Sequence, residues 1–242
     1  MTIMRYLKIF LIFFHLLIGV FLSLFIFFSI KKIQKKIIQF WCHTLLLILD
    51  VQLSINQNLS LLLKKNHCLV VCNHISWLDI IILNSLHPLC FVAKDNIKHW
   101  PIINILAKAC DTIFINRDSI SGIRNISSIV EEMLLSRSIC IFPEGTSTNG
   151  LTVLKFKSNL FQAAINSKKN ILPIAIQYQK NYKSLPEVGY YGNVSLISSI
   201  WNVVRLNKIT ANLTVLPIIK SVNDRKLLAF SSFVQINKII LK

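Results

Sequence analysis

Acidic side chains are scarce: 10 Asp and Glu stand against 27 Lys and Arg, giving a formal net charge of +17 over 242 residues. Charge of either sign is also thin, at 15% of the chain, while 53% of residues are hydrophobic. A basic, greasy chain suits an anionic partner, either nucleic acid or the face of a membrane. Nucleic-acid binding calls for a basic patch interleaved with exposed aromatics, or a recognised module. Here the lysines flank apolar segments instead, so no nucleic-acid partner is expected. Ile, Asn and Lys are abundant in the manner of compositional drift in an AT-rich genome, an alternative source of positive charge that needs no partner. Cys-x-x-Cys pairs are missing. The six cysteines, Cys42, Cys68, Cys72, Cys90, Cys110 and Cys140, are scattered and several lie in apolar runs, which reads as reduced, buried thiols in a cytosolic setting. His67, Cys68, Cys72 and His74 form a cluster of zinc-ligand types. A strand over 68–72 would separate the two thiols by most of its length, and no second ligand pair has zinc-site spacing. No metal is expected. Gly-x-Ser-x-Gly is absent too, which removes the serine nucleophile elbow, and neither an internal repeat nor a long linker is visible.

The greasiness is concentrated at the start. Ile9 to Ile30 is an apolar run of 22 residues broken by His15, Gly19, Ser23 and Ser29. As a helix it would be roughly 33 Å long, enough to cross a bilayer. It lacks a small-residue cleavage site at its end, which favours a retained anchor over a removable signal peptide. Lys31, Lys32, Lys35 and Lys36 follow it, against Arg5 and Lys8 before it, a bias that places the main body on the cytoplasmic side. Ile37 to Leu53, with Trp41, His43 and Asp50, is too short and polar for a second span. It reads as an interfacial segment, or as the partner of the first helix in a hairpin dipping into one leaflet. His15 and His43 read as incidental.

From Lys64 the texture changes to alternating strand-like and helix-like segments. Strands are expected at 68–72, 90–94, 112–115, 138–142, 171–176 and 209–216. Helices are expected from Ser76 to near Leu86, then over 97–109, 119–136, 156–166, 201–206 and 224–241. Such alternation implies a single α/β domain with a largely parallel mixed sheet flanked by helices, over residues 61–242, behind N-terminal hydrophobic helices over residues 1–60.

Ligands of open α/β sheets gather at the carboxyl ends of strands, and three polar clusters fall at such ends. Asn73-His74 leaves the 68–72 strand, with Asp79 five positions beyond His74 in the first turn of a helix. His is the side chain best suited to accept a proton near neutral pH, and an Asp on its other ring nitrogen would fix the tautomer. Ser76-x-x-Asp79 is equally close to a capping box, in which Asp79 only satisfies free helix N–H groups, and His74 is then a hydrogen-bonded loop residue. The second cluster is Asn116-Arg117-Asp118, whose guanidinium offers a planar, permanent charge to a phosphate or else is a solvated edge charge. The third is Pro143-Glu144-Gly145-Thr146. Gly145 permits close backbone approach, Thr146 offers a hydroxyl and an N–H, and Glu144 accepts from substrate hydroxyls or pairs with Arg117. The plain alternative is a turn with no further role.

Taken in order, Asn73-His74-x-Ser76-x-x-Asp79, Ile113-Phe-Ile-Asn-Arg117, Phe142-Pro-Glu-Gly-Thr146 and Ile171-Leu-Pro-Ile174 resemble the four motif blocks of the glycerolipid acyltransferase family. Its type members are the 1-acyl-sn-glycerol-3-phosphate acyltransferases, and the likeness runs over residues 66–178. The resemblance implies that His74 is the general base and Asp79 its orienter. It implies that Arg117, Glu144, Gly145 and Thr146 bind the polar head of a lysophospholipid acceptor, and that Ile171–Ile174 helps shape the acyl-chain site. The donor would be acyl-CoA or acyl carrier protein as co-substrate, with no separate cofactor, metal or acyl-enzyme nucleophile. The expected place is the bacterial inner membrane, among membrane lipids. One departure bears on the acceptor: Ser147 stands where many phosphatidate-forming members carry Arg. Gly145-Thr-Ser-Thr-Asn-Gly150, Phe156-Lys157 and Tyr190-Tyr-Gly192 look more like the branch with lyso-ornithine-lipid and lysophosphatidylcholine acyltransferases. Lys155 or Lys157 would have to replace the lost charge. Two acceptors therefore stand open, lysophosphatidate and a zwitterionic lysolipid, beside a catalytically silent lipid-binding protein.

Overall fold

A strand buried on both faces needs no polar alternation, and Leu69-Val-Val-Cys72 has none; all four residues are buried. That strand lies at the middle of the sheet in a computed structural model describing residues 2–65, 67–115 and 120–241. In chain order the elements are α1 (Thr2–Phe28), α2 (Lys31–Leu49), β1 (Val51–Ile55), α3 (Leu59–Lys65), β2 (Leu69–Cys72), α4 (Leu78–Leu86), β3 (Cys90–Lys94), α5 (Pro101–Ala109) and β4 (Ile113–Ile115). There follow α6 (Ile120–Leu134), β5 (Ile139–Ile141), α7 (Phe161–Asn166), β6 (Ile171–Lys180), β7 (Lys183–Ser184), α8 (Leu196–Arg205), β8 (Ile209–Val215) and α9 (Arg225–Ile240). The sheet order is β1-β8-β6-β2-β5-β3-β4, with β7 hooked antiparallel onto β6. From β6 to β4 every pairing is parallel, and the antiparallel β6–β8 pair then reverses the direction of β8 and β1. The expected α/β architecture, a largely parallel mixed sheet flanked by helices behind an N-terminal apolar helix, is the one found.

Because side chains alternate across a strand, each central strand feeds two cores. Val70, Cys72, Phe91, Cys140, Ile174 and Ile176 pack on the side of α2 and α4. Leu69, Val71, Val92, Ile139, Ile141 and Ala175 pack on the other, against α6, α7 and α9. Burying a side chain of this size is worth about 1.5–3 kcal/mol, so the two layers hold the edge of the sheet rigidly under the loops that leave it.

Several expectations shift: α8 begins at Leu196, not 201, and β6 runs on to Lys180. Val51-Gln-Leu-Ser-Ile55, read with the anchor by its hydropathy, is an edge strand paired parallel to β8. Its period-two burial and the left-handed Asp50 that stops α2 (φ 60°) are the signals that mark it. The helix expected over 97–109 is broken at Pro101. The residue before a proline is driven out of the helical region, and Trp100 is extended (φ −101°, ψ 100°), leaving a 3₁₀ turn over Asp95–His99 and α5 starting on the proline. The helix expected from Phe156 begins only at Phe161. Two long-range bonds capture the preceding backbone: Leu154 N–H donates to Glu144 (2.7 Å) and Lys157 N–H to the Pro143 carbonyl (2.9 Å).

The first helix is two-faced. Lys8, Ile12, His15, Gly19, Ser23 and Ile26 form a buried stripe at helical spacing, and Phe10, Phe14, Phe21, Phe25 and Phe28 stand exposed. His15 is not incidental. Its Nε2 pairs with the Trp41 carbonyl (3.0 Å), Trp41 Nε1–H donates back to the His15 carbonyl (3.1 Å), and the rings stack at 4.6 Å.

Candidate active site

Strands β2 and β5 are parallel neighbours, so their exits share one edge of the sheet. The exit of β2 is fixed by Asn73, which the apolar pattern of its strand does not single out. Its side chain closes a two-way bond with Ile176 of β6: Nδ2–H to the carbonyl (2.9 Å), and Ile176 N–H to Oδ1 (2.8 Å). Pairing that backbone would have made continues through a side chain. His74 comes next. Its N–H donates to Glu144 Oε1 (2.7 Å) and its carbonyl accepts from Thr148 N–H (2.9 Å), so both of its main-chain groups are held by the turn after β5. The imidazole stacks on Phe142 at 4.1 Å, and Phe142 on Phe91 at 6.0 Å.

His74 Nδ1 lies 2.8 Å from Asp79 Oδ2. An ionised carboxylate can only accept, so Nδ1 carries the hydrogen and Nε2 keeps its lone pair. The imidazole is 22% exposed and Asp79 is fully buried. Asp79 Oδ2 also accepts from Ile75 N–H (2.8 Å) and Ser76 N–H (2.9 Å), while Oδ1 accepts from Tyr178 OH (2.6 Å). The orienting and capping readings of Asp79 are thus one arrangement, since the same oxygen caps the turn and holds the imidazole. The return half of the box is not made: Ser76 Oγ has no partner among the described residues.

Glu144 sits differently from expectation. It is only 3% exposed, and both oxygens are engaged by backbone N–H groups, from His74 and Leu154. It braces the two loops against each other from within. Burial pushes its carboxyl up to about 7, against the Leu154 and His74 N–H bonds and the His74 charge, with the Asp79 charge adding to the rise. Gly145 turns with φ 78°, a conformation that favours glycine, and sets Thr146 in the open. Ser147 donates its hydroxyl to the Tyr190 carbonyl, tying the turn to the loop before α8. Lys155 and Lys157 are exposed beyond it. Arg117 lies outside the described residues. Of the residues singled out by sequence, His74, Asp79, Glu144 and Gly145 converge; Asn73 as a clamp and Tyr178 were missed as parts of the site. No local signal ties Tyr178 to Asp79, from which it is 99 residues distant in sequence.

Such a site can take a proton at Nε2 and stabilise the resulting imidazolium with a buried carboxylate. Among known proteins, a 1-acyl-sn-glycerol-3-phosphate acyltransferase from Neisseria gonorrhoeae is 34% identical over 146 residues, covering 60% of this chain and 57% of that protein. The chain thus matches little more than half the length of that relative. A lyso-ornithine lipid O-acyltransferase from Pseudomonas aeruginosa is 27% identical over 177 residues, 73% of this chain and 67% of its own. The crystal structure of the 1-acyl-sn-glycerophosphate acyltransferase from Thermotoga maritima superposes with a TM-score of 0.71 at 17% identity, over 99% of this chain and 94% of that one, and shares its fold. The family model described as acyltransferase matches residues 51–177, from β1 into β6 and so across the whole His74–Asp79 site, and the chain belongs to that family.

Proposed function

We propose that this protein is a membrane-bound O-acyltransferase that moves a fatty acyl group from a thioester to the sn-2 hydroxyl of 1-acylglycerol-3-phosphate, forming phosphatidate. The observation that carries the reading is the 2.8 Å bond from His74 Nδ1 to a fully buried Asp79 at a strand exit, which leaves Nε2, with no hydrogen bond among the described residues, as the basic atom. In the reaction Nε2 takes the acceptor hydroxyl's proton as the oxygen attacks the thioester carbonyl. The new C–O ester bond forms, the C–S bond breaks, and the imidazolium returns its proton to the departing thiolate. Holding hydroxyl and thioester together contributes on the order of 7–11 kcal/mol at best. Gly145, Thr146 and Arg117 serve the acceptor's polar head in this reading, and Glu144 serves it indirectly by fixing the turn. The donor is acyl-CoA or acyl carrier protein.

Membrane attachment rests on α1, a helix of 27 residues long and apolar enough to cross a bilayer. Its buried stripe runs from Lys8, bonded to Asn207 of the body (3.2 Å), past Gly19 beside Leu106 of α5, to Ile26, whose carbonyl accepts from Gln34 of α2 (2.6 Å). Those 18 residues of rise amount to about 27 Å of axis committed to the protein. A helix docked along that length supports the hairpin lying in one leaflet, with the phenylalanine face toward acyl chains and Lys31–Lys36 toward anionic headgroups of the cytoplasmic face.

A second acceptor has its own support. By the family resemblance Ser147 stands where many phosphatidate-forming members carry Arg, it spends its hydroxyl on Tyr190, and the Pseudomonas relative is named for a lyso-ornithine lipid. One experiment addresses both: purified protein in detergent, wild type beside His74→Ala, offered labelled acyl-carrier-protein and acyl-CoA with lysophosphatidate and lyso-ornithine lipid. Turnover is expected with lysophosphatidate and lost by at least about 10²-fold in the variant. Product only from lyso-ornithine lipid would replace the acceptor, and an active His74→Ala would overturn the mechanism.

A further inference from the structure

Resting on the reading of His74 as base, we propose that Tyr178 is a positioning residue of the reaction: its hydroxyl fixes the Asp79 carboxylate and thereby sets the basicity and aim of His74. Strand register brings Tyr178 to this contact. Strand β6 pairs in parallel with β2 up to Cys72 opposite Ile174, then runs on to Lys180 after β2 has ended. The Asn73–Ile176 clamp holds that overhang against the loop. Two residues later, on the same face as Ile176, Tyr178 reaches over the exit of β2, where it donates to Asp79 Oδ1 at 2.6 Å.

The chemistry follows from how the donors are divided. Oδ2 takes the imidazole and two main-chain N–H groups, and Oδ1 takes the phenol. With both oxygens held the carboxylate cannot rotate, and the ring it holds keeps one orientation. The phenol also draws charge from the carboxylate, so the proton stays on Nδ1 and the imidazolium is stabilised less than a bare carboxylate would allow. Among the described residues, the titratable groups facing this pair are Tyr178 from β6, Glu144 from the turn after β5 and Cys72 from β2. Glu144 and Cys72 stay in place when the phenol is removed. Burial and the Asp79 charge hold the phenol well above its ordinary range, so it remains a donor throughout.

The test is the pH dependence of kcat/KM for wild type, Tyr178→Phe and His74→Ala in one detergent preparation. Losing the phenol leaves Asp79 more basic and the imidazolium better stabilised. The acidic limb should then move to higher pH by about half a unit or more, and kcat should fall about tenfold with acceptor KM little changed. Fluorotyrosine at position 178 keeps the hydroxyl, donates more strongly and should move the limb the other way; it carries the test alone should Tyr178→Phe not fold. A folded Tyr178→Phe with the wild-type limb and kcat overturns the proposal while a dead His74→Ala leaves the base assignment standing. An active His74→Ala overturns both.

Discussion

At the scale of single residues, Glu144 shows how a motif residue can brace two loops from within. Its oxygens are matched one to one with the N–H groups of His74 and Leu154. Glu144→Gln preserves shape but turns an NH₂ group toward one of those donors. The expected cost is about 1–3 kcal/mol, the penalty for a buried donor left unmade, measured by denaturant or thermal unfolding in detergent. Glutamine also removes a titration. With its carboxyl raised from 4.5 to about 7, the native state binds more protons than the unfolded state between those values. Stability contributed by this group is therefore full at the acid end and is lost as pH rises through about 7. The wild-type melting temperature should decline across that window, and Glu144→Gln should flatten the decline; parallel curves would remove Glu144 as its source. The sequence shows that a carboxylate follows β5, but whether it points out to a ligand or in to a neighbouring amide is decided by residues 70 positions apart.

At the scale of elements, what was legible and what was not divide along a physical line. The central strands could be read because a strand covered on both faces must be apolar throughout, and 69–72 and 171–176 are. His74 and Asp79 could be read because the turn that joins them is local. Boundaries set by distant partners could not: the late start of α7 is imposed by Pro143 and Glu144, and β1 exists only because β8 offers its edge. The α1–α2 hairpin is a further case, since its contacts select which polar residues of a greasy run are structural. A Cβ on Gly19 would lie 2.7 Å from Trp41 Nε1 and 2.9 Å from Leu106, inside any real side-chain contact. Gly19→Val should displace Trp41, break its exchange with His15 and speed protease cleavage at the 29–30 link between the helices. Unchanged cleavage would mean that the hairpin is held elsewhere.

At the scale of the whole molecule, the charge and the grease resolve into separate regions. Aromatic side chains cover the outer face of α1, and Lys31, Lys32, Lys35 and Lys36 lie exposed at the start of α2. If α1 lies along one leaflet, the N-terminus and the body are on the same side of a vesicle. Protease added outside sealed liposomes carrying the protein on their outer surface should remove an N-terminal tag completely, whereas a crossing helix would shelter it until detergent is added. The lengthwise docking of α1 has a geometric outcome for the two substrates. On the in-plane placement proposed above it works as a depth gauge, holding His74 at one fixed height relative to the surface the helix rests on. For the proposed reaction, a lysolipid would then arrive by lateral drift within its own sheet of lipid, a search in two dimensions, while the thioester would come from the water above in three. Acceptor supply would follow its mole fraction among neighbouring lipids and donor supply its bulk concentration, so diluting the membrane with inert lipid and diluting the solution should be separate controls on one rate.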